Sequence, residues 1–533
     1  MSKRTFIAAF ASVFLLIACQ SNNIDETAKS GPPEIDSYRD IGAIKPKADM
    51  LFENKSDQLI YPGEFVAIKG DRLSDAEVTI DGVPIPTFYH EQKSLLLRLP
   101  TGLNPVREHK LTVSNNFGSD SINFYSRHFI AATDTDNNQL HFMRTAPEEK
   151  GYIEMETAYD MTLDQKRALV SQISPSGGFL YSFGVESKKV NSSSITGFSY
   201  QVSMNLIHLA AYKKPELHSE FHVDLHSQPV AVTMSENNQI ILLGAKDAAI
   251  IDISEEIKPR QVVRFNLAEA TQKYHYMDVI TLQQGQLLAV LETYGNKIII
   301  YDISEASNPK QKSSYEVYPN VDLPIAVDLE IDPNNPDRFW VLSGPNLRAL
   351  ASNALTEVQR LFAEPTEGTV ELPRELTQLS LTDTGVIESD KVRLPESFVP
   401  FYAKFGPNDT LFVTGLNGDL INSDNLELDL SLLKKLLTNV FSATQFGQVL
   451  EVKPDSKKVK AHAKGLGLYY HLEYMPELGP VFSLYKLGGT VFAPYVNVKW
   501  GVGVKSRGTF AIRKAHYKSI FPPYAVGYVS VQL

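Results

Sequence analysis

The sequence predicts an all-β protein in which a small antiparallel sandwich precedes a β-propeller that carries one helical insertion. Two observations support this fold class. Residues 59–125 contain short alternating apolar runs separated by turn residues at intervals of about 8 to 12, as in a small sandwich. After residue 127, a strand motif recurs at intervals of 44 and 50 residues, which is the length of one four-stranded propeller blade.

The composition is that of a large globular protein. The 533 residues are 43% hydrophobic and 21% charged, which is enough for two cored domains and excludes general disorder. Acidic residues outnumber basic ones by 62 to 51, so we expect no nucleic-acid partner. A single cysteine excludes an intramolecular disulfide, a cysteine-based zinc site and a CxxC redox pair.

The N-terminus has the layout of a secretory signal. Lys3 and Arg4 precede an uncharged, mostly apolar run over 5–17, which is shorter than the roughly 20 residues that span a bilayer. The end of this run resembles the lipobox of bacterial lipoproteins, with Leu16, Ile17 and Ala18 directly before Cys19. The resemblance implies that residues 1–18 are removed and that Cys19 is acylated, for instance with palmitate. An ordinary signal peptide with an incidental cysteine is the alternative.

The residues after Cys19 concern the destination of the chain. Gln20 occupies the position at which an Asp would retain a lipoprotein at the inner membrane, so the resemblance implies the outer membrane, facing the periplasm or the cell surface. Without Lys3 and Arg4, 49 basic residues stand against 62 acidic ones, a net charge of −13. Membrane attachment then depends on acyl chains rather than on charge. Residues 19–47 are polar and contain Gly and Pro, which predicts a flexible tether.

The first domain is predicted over residues 48–126. Its strands are expected at 65–69, 77–80, 94–100, 109–113 and 121–125. Asp81-Gly82 favours a tight hairpin, because both residues tolerate positive φ. The segment resembles the IPT/TIG family of immunoglobulin-like domains at three places, namely Pro62-Gly63, 78–84 and 111–118. The resemblance implies an Ig-like β-sandwich that acts as a spacer or binding module without catalytic residues.

The propeller is predicted over residues 127–533. Asp252 and Asp302 each follow two apolar residues, precede Ile-Ser and stand seven residues before Pro259 and Pro309. A weaker copy has His208 in place of the Asp and Pro215 at the same offset. The two good copies resemble the LVIVD repeat of bacterial surface and periplasmic propellers, in which these four residues are structural. The period favours seven blades, with eight as the alternative.

Two further elements complete the predicted propeller. The runs 528–531 and 128–131 would close the ring and hide both sheet edges if they paired within one blade. Residues 423–439 are expected to form a helix, with Ser423 as N-cap and leucines on one stripe at 426, 430, 433 and 437. This insertion either packs on the propeller rim or docks a partner.

Motifs that carry chemistry are few. His218, His222 and His226 alternate with Glu220 and Asp224, so period two places them on one strand face that could bind zinc. The repeat register makes this strand the outermost of its blade, which favours a solvent-exposed polar face instead. Residues 134–145 have the start of a calcium-loop pattern but lack its Gly and Glu. The sequence contains no GxSxG, HExxH or Walker motif, and we predict no catalytic residue and no cofactor.

The sequence thus favours an outer-membrane lipoprotein that acts as a non-catalytic binding or scaffold protein. Its propeller would recognise an envelope protein or a glycan, and the lipid anchor would bind the membrane. Aromatic residues over 469–528 could form a recognition surface or blade core. Two alternatives remain: a hydrolase or lactonase-type propeller enzyme with a metal at the central channel, and a structural component of an envelope assembly. Three or more converging Asp, Glu, Asn or His side chains at the channel mouth would favour the enzyme.

Overall fold

The computed structural model describes residues 31–533 apart from 54, 135–137, 148–152, 163–166, 190–197, 268–275, 322–323, 347–372, 384, 418–446, 466–467, 477–478, 486–494, 498–516 and 520–527. The predicted signal, Cys19 and the predicted helix over 423–439 lie outside these residues. Within them, the one helical element is a 3-10 turn at Ala48–Met50. No helix of the described part is long and apolar enough to cross a membrane.

The chain divides into two compact units. One comprises Met1–Arg39, Val66–Arg98 and Lys110–Asn123, and the other comprises Asp40–Phe65, Leu99–His109 and Phe124–Leu533. The second unit therefore includes two short segments, 40–65 and 99–109, that lie upstream of the predicted propeller.

Eight strands form the N-terminal sheets. They are β1 (Glu34–Gly42), β2 (Phe65–Asp71), β3 (Glu77–Ile80), β4 (Val83–Pro84), β5 (Thr87–Glu91), β6 (Ser94–Arg98), β7 (Glu108–Asn115) and β8 (Gly118–Tyr125). The two four-stranded sheets have the orders β1-β2-β6-β5 and β4-β3-β7-β8. Alternation along β7 buries His109, Leu111 and Val113. Asp81 and Gly82 have φ values of 51° and 82°, which is the predicted tight hairpin between β3 and β4.

Strand β1 differs from the tether that the sequence predicts over 19–47. Glu34–Gly42 is paired with β2 at the edge of its sheet. Most of its side chains are exposed or half-buried, and the two fully buried positions are Asp40 and Gly42. An edge strand of this kind has no apolar periodicity, so alternation of hydrophobic residues cannot reveal it.

The remaining strands belong to the second unit. They are β9 (Phe129–Asp134), β10 (Gln139–Pro147), β11 (Ile153–Thr162), β12 (Arg167–Ile173), β13 (Phe179–Lys189), β14 (Phe198–His208), β15 (Glu216–Val223), β16 (Pro229–Ser235), β17 (Gln239–Gly244), β18 (Asp247–Asp252), β19 (Arg260–Asn266), β20 (Tyr276–Leu282), β21 (Leu287–Glu292), β22 (Lys297–Asp302), β23 (Lys310–Glu316), β24 (Ala326–Ile331), β25 (Arg338–Ser343), β26 (Glu375–Thr382), β27 (Gly385–Arg393), β28 (Phe398–Gly406), β29 (Thr410–Asn417), β30 (Gly447–Lys453), β31 (Lys458–Gly465), β32 (Leu468–Met475), β33 (Gly479–Tyr485), β34 (Tyr495–Asn497), β35 (Tyr517–Ser519) and β36 (Val529–Val531).

These strands form seven four-stranded sheets in the described part of the chain. Six of the sheets use four consecutive strands, from β12–β15 to β32–β35, and the seventh has the order β11-β10-β9-β36. The inner strands β12, β16, β20, β24, β28, β32 and β36 pack against one another in that order, and β36 packs against β12. Such a closed ring of sheets is a β-propeller, so the predicted all-β propeller fold is confirmed.

The last strand closes the ring. Val529 pairs with Ala132 and Val531 pairs with Ile130, as predicted from the two terminal runs. The C-terminal strand thereby becomes the inner strand of the sheet that contains β9, and β9 is paired on both sides, with β10 and β36.

The core lies between successive sheets. Strands β17, β18 and β21, which are second and third strands of their sheets, are buried along almost their whole length, because a neighbouring sheet covers each face. For example, Ile241 and Ile250 of one sheet pack with Val279, Leu288 and Ile299 of the next. This arrangement explains why the strand motifs contain continuous apolar runs rather than strict alternation.

The repeated motif occupies the same place in successive sheets. Asp252 ends β18 and Asp302 ends β22, and Pro259 and Pro309 directly precede the outer strands β19 and β23. Each Asp side chain accepts a hydrogen bond from the backbone N–H two residues later, at 2.9 Å for Asp252 and 3.0 Å for Asp302. The motif therefore shapes the turn between the third and the outer strand.

Candidate functional site

A cavity of about 410 Å³ opens at the C-terminal ends of five inner strands. We call it the channel cavity. Small-molecule sites have volumes of about 300 to 1,000 Å³, so its size suits a small ligand. Its lining consists of Ser171, Gln172 and Ile173 of β12, Thr233 and Met234 of β16, Lys404 and Phe405 of β28, Glu473 and Tyr474 of β32 with Pro476, and Ser530, Val531 and Leu533 at the C-terminus.

The lining combines polar groups with two aromatic side chains. Gln172 and Thr233 contribute an amide and a hydroxyl, and Phe405 and Tyr474 contribute rings. The hydroxyls of Ser171 and Ser530 are 2.7 Å apart and are hydrogen-bonded to each other across the ring closure.

Lys404 is the cation of the channel cavity. Its Nζ lies 3.5 Å from Glu473 Oε2 and 3.9 Å from Glu330 Oε1. The negative charges of Glu330, Glu473 and Asp328 outweigh the effect of burial and raise the pKa of Lys404 above its ordinary value. Lys404 is therefore charged at neutral pH.

Glu330 lies behind this lysine on β24. Its side chain is 11% exposed and accepts a hydrogen bond from the Phe405 N–H at 3.1 Å. Burial raises the pKa of Glu330 to about 7, and the nearby Lys404 ammonium offsets only part of that effect. Glu330 thus titrates near neutral pH.

Two further carboxylates join neighbouring inner strands. Asp278 Oδ2 on β20 accepts from the Leu329 N–H at 2.7 Å, and Asp328 Oδ2 on β24 accepts from the Ala403 N–H at 2.8 Å. Both strands have an irregular register just before the aspartate, where one residue has no pairing partner in the ladder. The aspartates therefore tie each inner strand to the next.

These four acidic residues and Lys404 are not among the site residues expected from the sequence. A signal was available, because Asp278, Asp328 and Glu330 interrupt otherwise apolar runs. A carboxylate within a buried run needs a partner, and partners here come from the next sheet.

Strand β15, which carries two of the histidines considered for zinc, is an outer strand, as predicted. Its pairing shifts between Leu217 and Ser219, so His218 lies at a bulge. His218, Glu220 and His222 are all exposed and alternate with less exposed side chains. His226 lies beyond the strand end and pairs with Asp224 at 3.1 Å. Among the described residues, no group of three or more His, Cys, Asp or Glu side chains could hold a metal ion.

Several other predicted features fall wholly or partly outside the described residues. They include residues 135–137 of the calcium-like segment. They also include most of the aromatic stretch, with Trp500, Phe510 and Tyr524. Of the aromatic residues that are described, Tyr474 lines the channel cavity and Tyr528 stacks on His471 at 3.6 Å between ring centroids.

Comparisons with known proteins give likenesses of fold only. No protein-family model matches the sequence, and no curated protein matches it. The periplasmic gluconolactonase of Pseudomonas aeruginosa is 9% identical, with a TM-score of 0.47 over 76% of this chain and 99% of that one. A protein from Lactobacillus plantarum gives the same values. The β-propeller domain of Cps50 (Swd1) from Myceliophteria thermophila is 10% identical, with a TM-score of 0.39 over 67% of this chain and 93% of that one.

Proposed function

We propose that this chain is a lipid-anchored protein of the bacterial cell envelope whose propeller binds a glycan without catalysis, and that the channel cavity is the binding site. The observation that carries the proposal is the lining of that cavity. Hydroxyl, amide and charged groups stand beside the rings of Phe405 and Tyr474. A saccharide needs this combination, because its hydroxyls form hydrogen bonds and its apolar faces pack on aromatic rings.

The arrangement of the polar groups favours binding over catalysis. Ser171 is hydrogen-bonded to Ser530, and Lys404 is paired with two carboxylates. The Ser530 hydroxyl also contacts the Ser171 carbonyl, at 3.1 Å, so the two serine hydroxyls are held by each other and by backbone. Of the Asp, Glu, Asn and His side chains that would favour the enzyme alternative, Glu473 is the one that lines the described cavity.

A binding assay tests this proposal. Immobilised saccharides are probed with the wild-type chain, with Thr233→Trp, which fills the cavity, and with Thr382→Trp as a matched control at an exposed site. We expect saccharide binding by the wild type, a loss of at least tenfold for Thr233→Trp and no loss for Thr382→Trp. Equal binding by the wild type and Thr233→Trp would overturn the proposed site.

The enzyme alternative makes a different prediction for the same preparation. A lactonase-type propeller would hydrolyse a simple lactone, and a metal-dependent one would lose that activity with a chelator. We expect no turnover by the wild type. Lactone hydrolysis that Thr233→Trp abolishes would place catalysis in the channel cavity and contradict the non-catalytic proposal.

We propose further that acylation at Cys19 attaches the chain to the outer membrane and that an IPT/TIG-like module, residues 48–126, spaces the propeller from it. The support is the lipobox-like run 16–19 followed by Gln20. Cells grown with labelled palmitate should label the wild-type chain but not Cys19→Ala, and the label should sediment with the outer membrane. A Cys19→Ala chain that is still labelled and membrane-bound would contradict this anchor.

The remaining alternative, a structural role in an envelope assembly, rests on the predicted helix over 423–439. A partner that co-purifies with the wild-type chain but not with a chain lacking 423–439 would favour that role.

A further inference from the structure

The charges around the channel cavity are unbalanced. Three carboxylates, of Glu330, Glu473 and Asp328, act on the single ammonium of Lys404. One positive charge against three negative ones leaves −2 when all are ionised, and −1 when Glu330 carries a proton. The described site is therefore net negative in either state.

Glu473 is the carboxylate of this set that a ligand can reach. Its side chain is 23% exposed and lines the cavity, whereas the Glu330 side chain is 11% exposed and lies behind Lys404. Asp328 is buried and accepts the Ala403 N–H. Among the three carboxylates, Glu473 is thus the one that a cationic group entering the cavity meets first.

The aromatic lining favours the same kind of group. Phe405 and Tyr474 both line the cavity, and each directly follows a charged lining residue, Lys404 or Glu473, in the sequence. The faces of aromatic rings attract ammonium groups, because the ring quadrupole is negative at the face. An anionic ligand, by contrast, would face a net negative site.

We infer that the ligand of the channel cavity carries an ammonium group, as an amino sugar does, and that Glu473 receives this group. The inference rests on the proposed function and narrows its ligand class. Lys404 stays paired with Glu330 on the inner side, while the ammonium of the ligand approaches Glu473 from the open side. The saccharide hydroxyls are then within the part of the cavity that Gln172 and Thr233 line.

The experiment compares two saccharides that differ in one group. Isothermal titration at about pH 6 measures binding of the glucosamine disaccharide, whose amines are charged, and of its N-acetylated counterpart. The wild type should bind the amine form at least tenfold more tightly. Glu473→Gln should reduce that preference to less than threefold, mainly through weaker binding of the amine form. Glu451→Gln is the matched control, because Glu451 pairs with a lysine outside the cavity, Lys460, at 3.0 Å.

The outcomes separate the inference from the proposed function. Equal binding of both forms, lost in Thr233→Trp, would overturn the ammonium inference and leave glycan binding in place. Binding of a linear diamine such as cadaverine that Glu473→Gln weakens, without binding of either saccharide, would support the ammonium inference and overturn the glycan. Absence of binding by all three probes would overturn both.

Discussion

Replacing Gln532 by alanine should weaken the propeller where its ring closes. The side chain of Gln532 is fully buried and accepts a hydrogen bond from the Phe129 N–H at 2.9 Å. It also donates to the carbonyls of Pro62 and Gly177, at 3.1 Å and 2.6 Å. Each lost bond costs about 1 kcal/mol, and the space left behind adds to this, so we expect a loss of about 3–5 kcal/mol.

Denaturant unfolding followed by tryptophan fluorescence measures this loss, since Trp340 is buried in the propeller core. Leu533→Ala is the matched control, because the neighbouring side chain is 44% exposed and should contribute less than about 0.5 kcal/mol. A change below about 1 kcal/mol for Gln532→Ala would contradict this prediction, because three buried hydrogen bonds would then add little to the closure.

Three further predictions concern the second unit. Burial lowers the pKa of His128 to about 4, whereas in the unfolded chain this imidazole takes up a proton near pH 6.5. The free energy of unfolding should therefore fall by about 3 kcal/mol as the pH drops from about 6.5 to about 4. His128→Asn keeps a donor for the Gln532 carbonyl and should remove that part of the fall. Gly63 has a φ of 78°, and a Cβ there would lie 2.2 Å from the Ser176 carbonyl, so Gly63→Ala should cost about 3 kcal/mol in an unfolding titration. Asp302→Ala removes the acceptor for the Ser304 N–H and should cost about 1 kcal/mol in thermal unfolding, whereas Asp302→Asn should be nearly neutral.

Each of these predictions has a result that would contradict it. For His128, the contradicting result is a loss of stability between pH 7 and pH 4 that is the same in the wild type and in His128→Asn. For Gly63, the control is Gly102→Ala, which has a φ of 81° but no atom near its Cβ, so it should cost only about 1 kcal/mol. Equal losses at the two glycines would show that the close approach does not matter. For Asp302, the contradicting result is a loss of thermal stability in Asp302→Asn that is as large as the loss in Asp302→Ala.

Local signals predicted many of the strands. The strand Glu77–Ile80 and the ends of β18 and β22 at Asp252 and Asp302 lie where the turn residues and apolar runs place them. The repeat period and the two terminal runs predicted the propeller and its closure. These features depend on residues that are close in sequence or that recur, so a single sequence contains them.

The site depends on contacts that no local pattern contains. Glu330, Lys404 and Glu473 lie on three different sheets, about 70 residues apart, and the ring brings them together. Strand β1 was missed because its pairing, rather than its hydrophobic pattern, defines it.

The most direct test of glycan binding in the channel cavity is a crystal structure of the chain with the saccharide that binds most tightly in solution. We expect electron density for the saccharide in the channel cavity, with a polar group of the ligand within hydrogen-bond distance of Glu473 and a sugar face against Tyr474 or Phe405. An empty channel cavity at a saturating ligand concentration, or a saccharide bound on an outer strand such as β15, would contradict it.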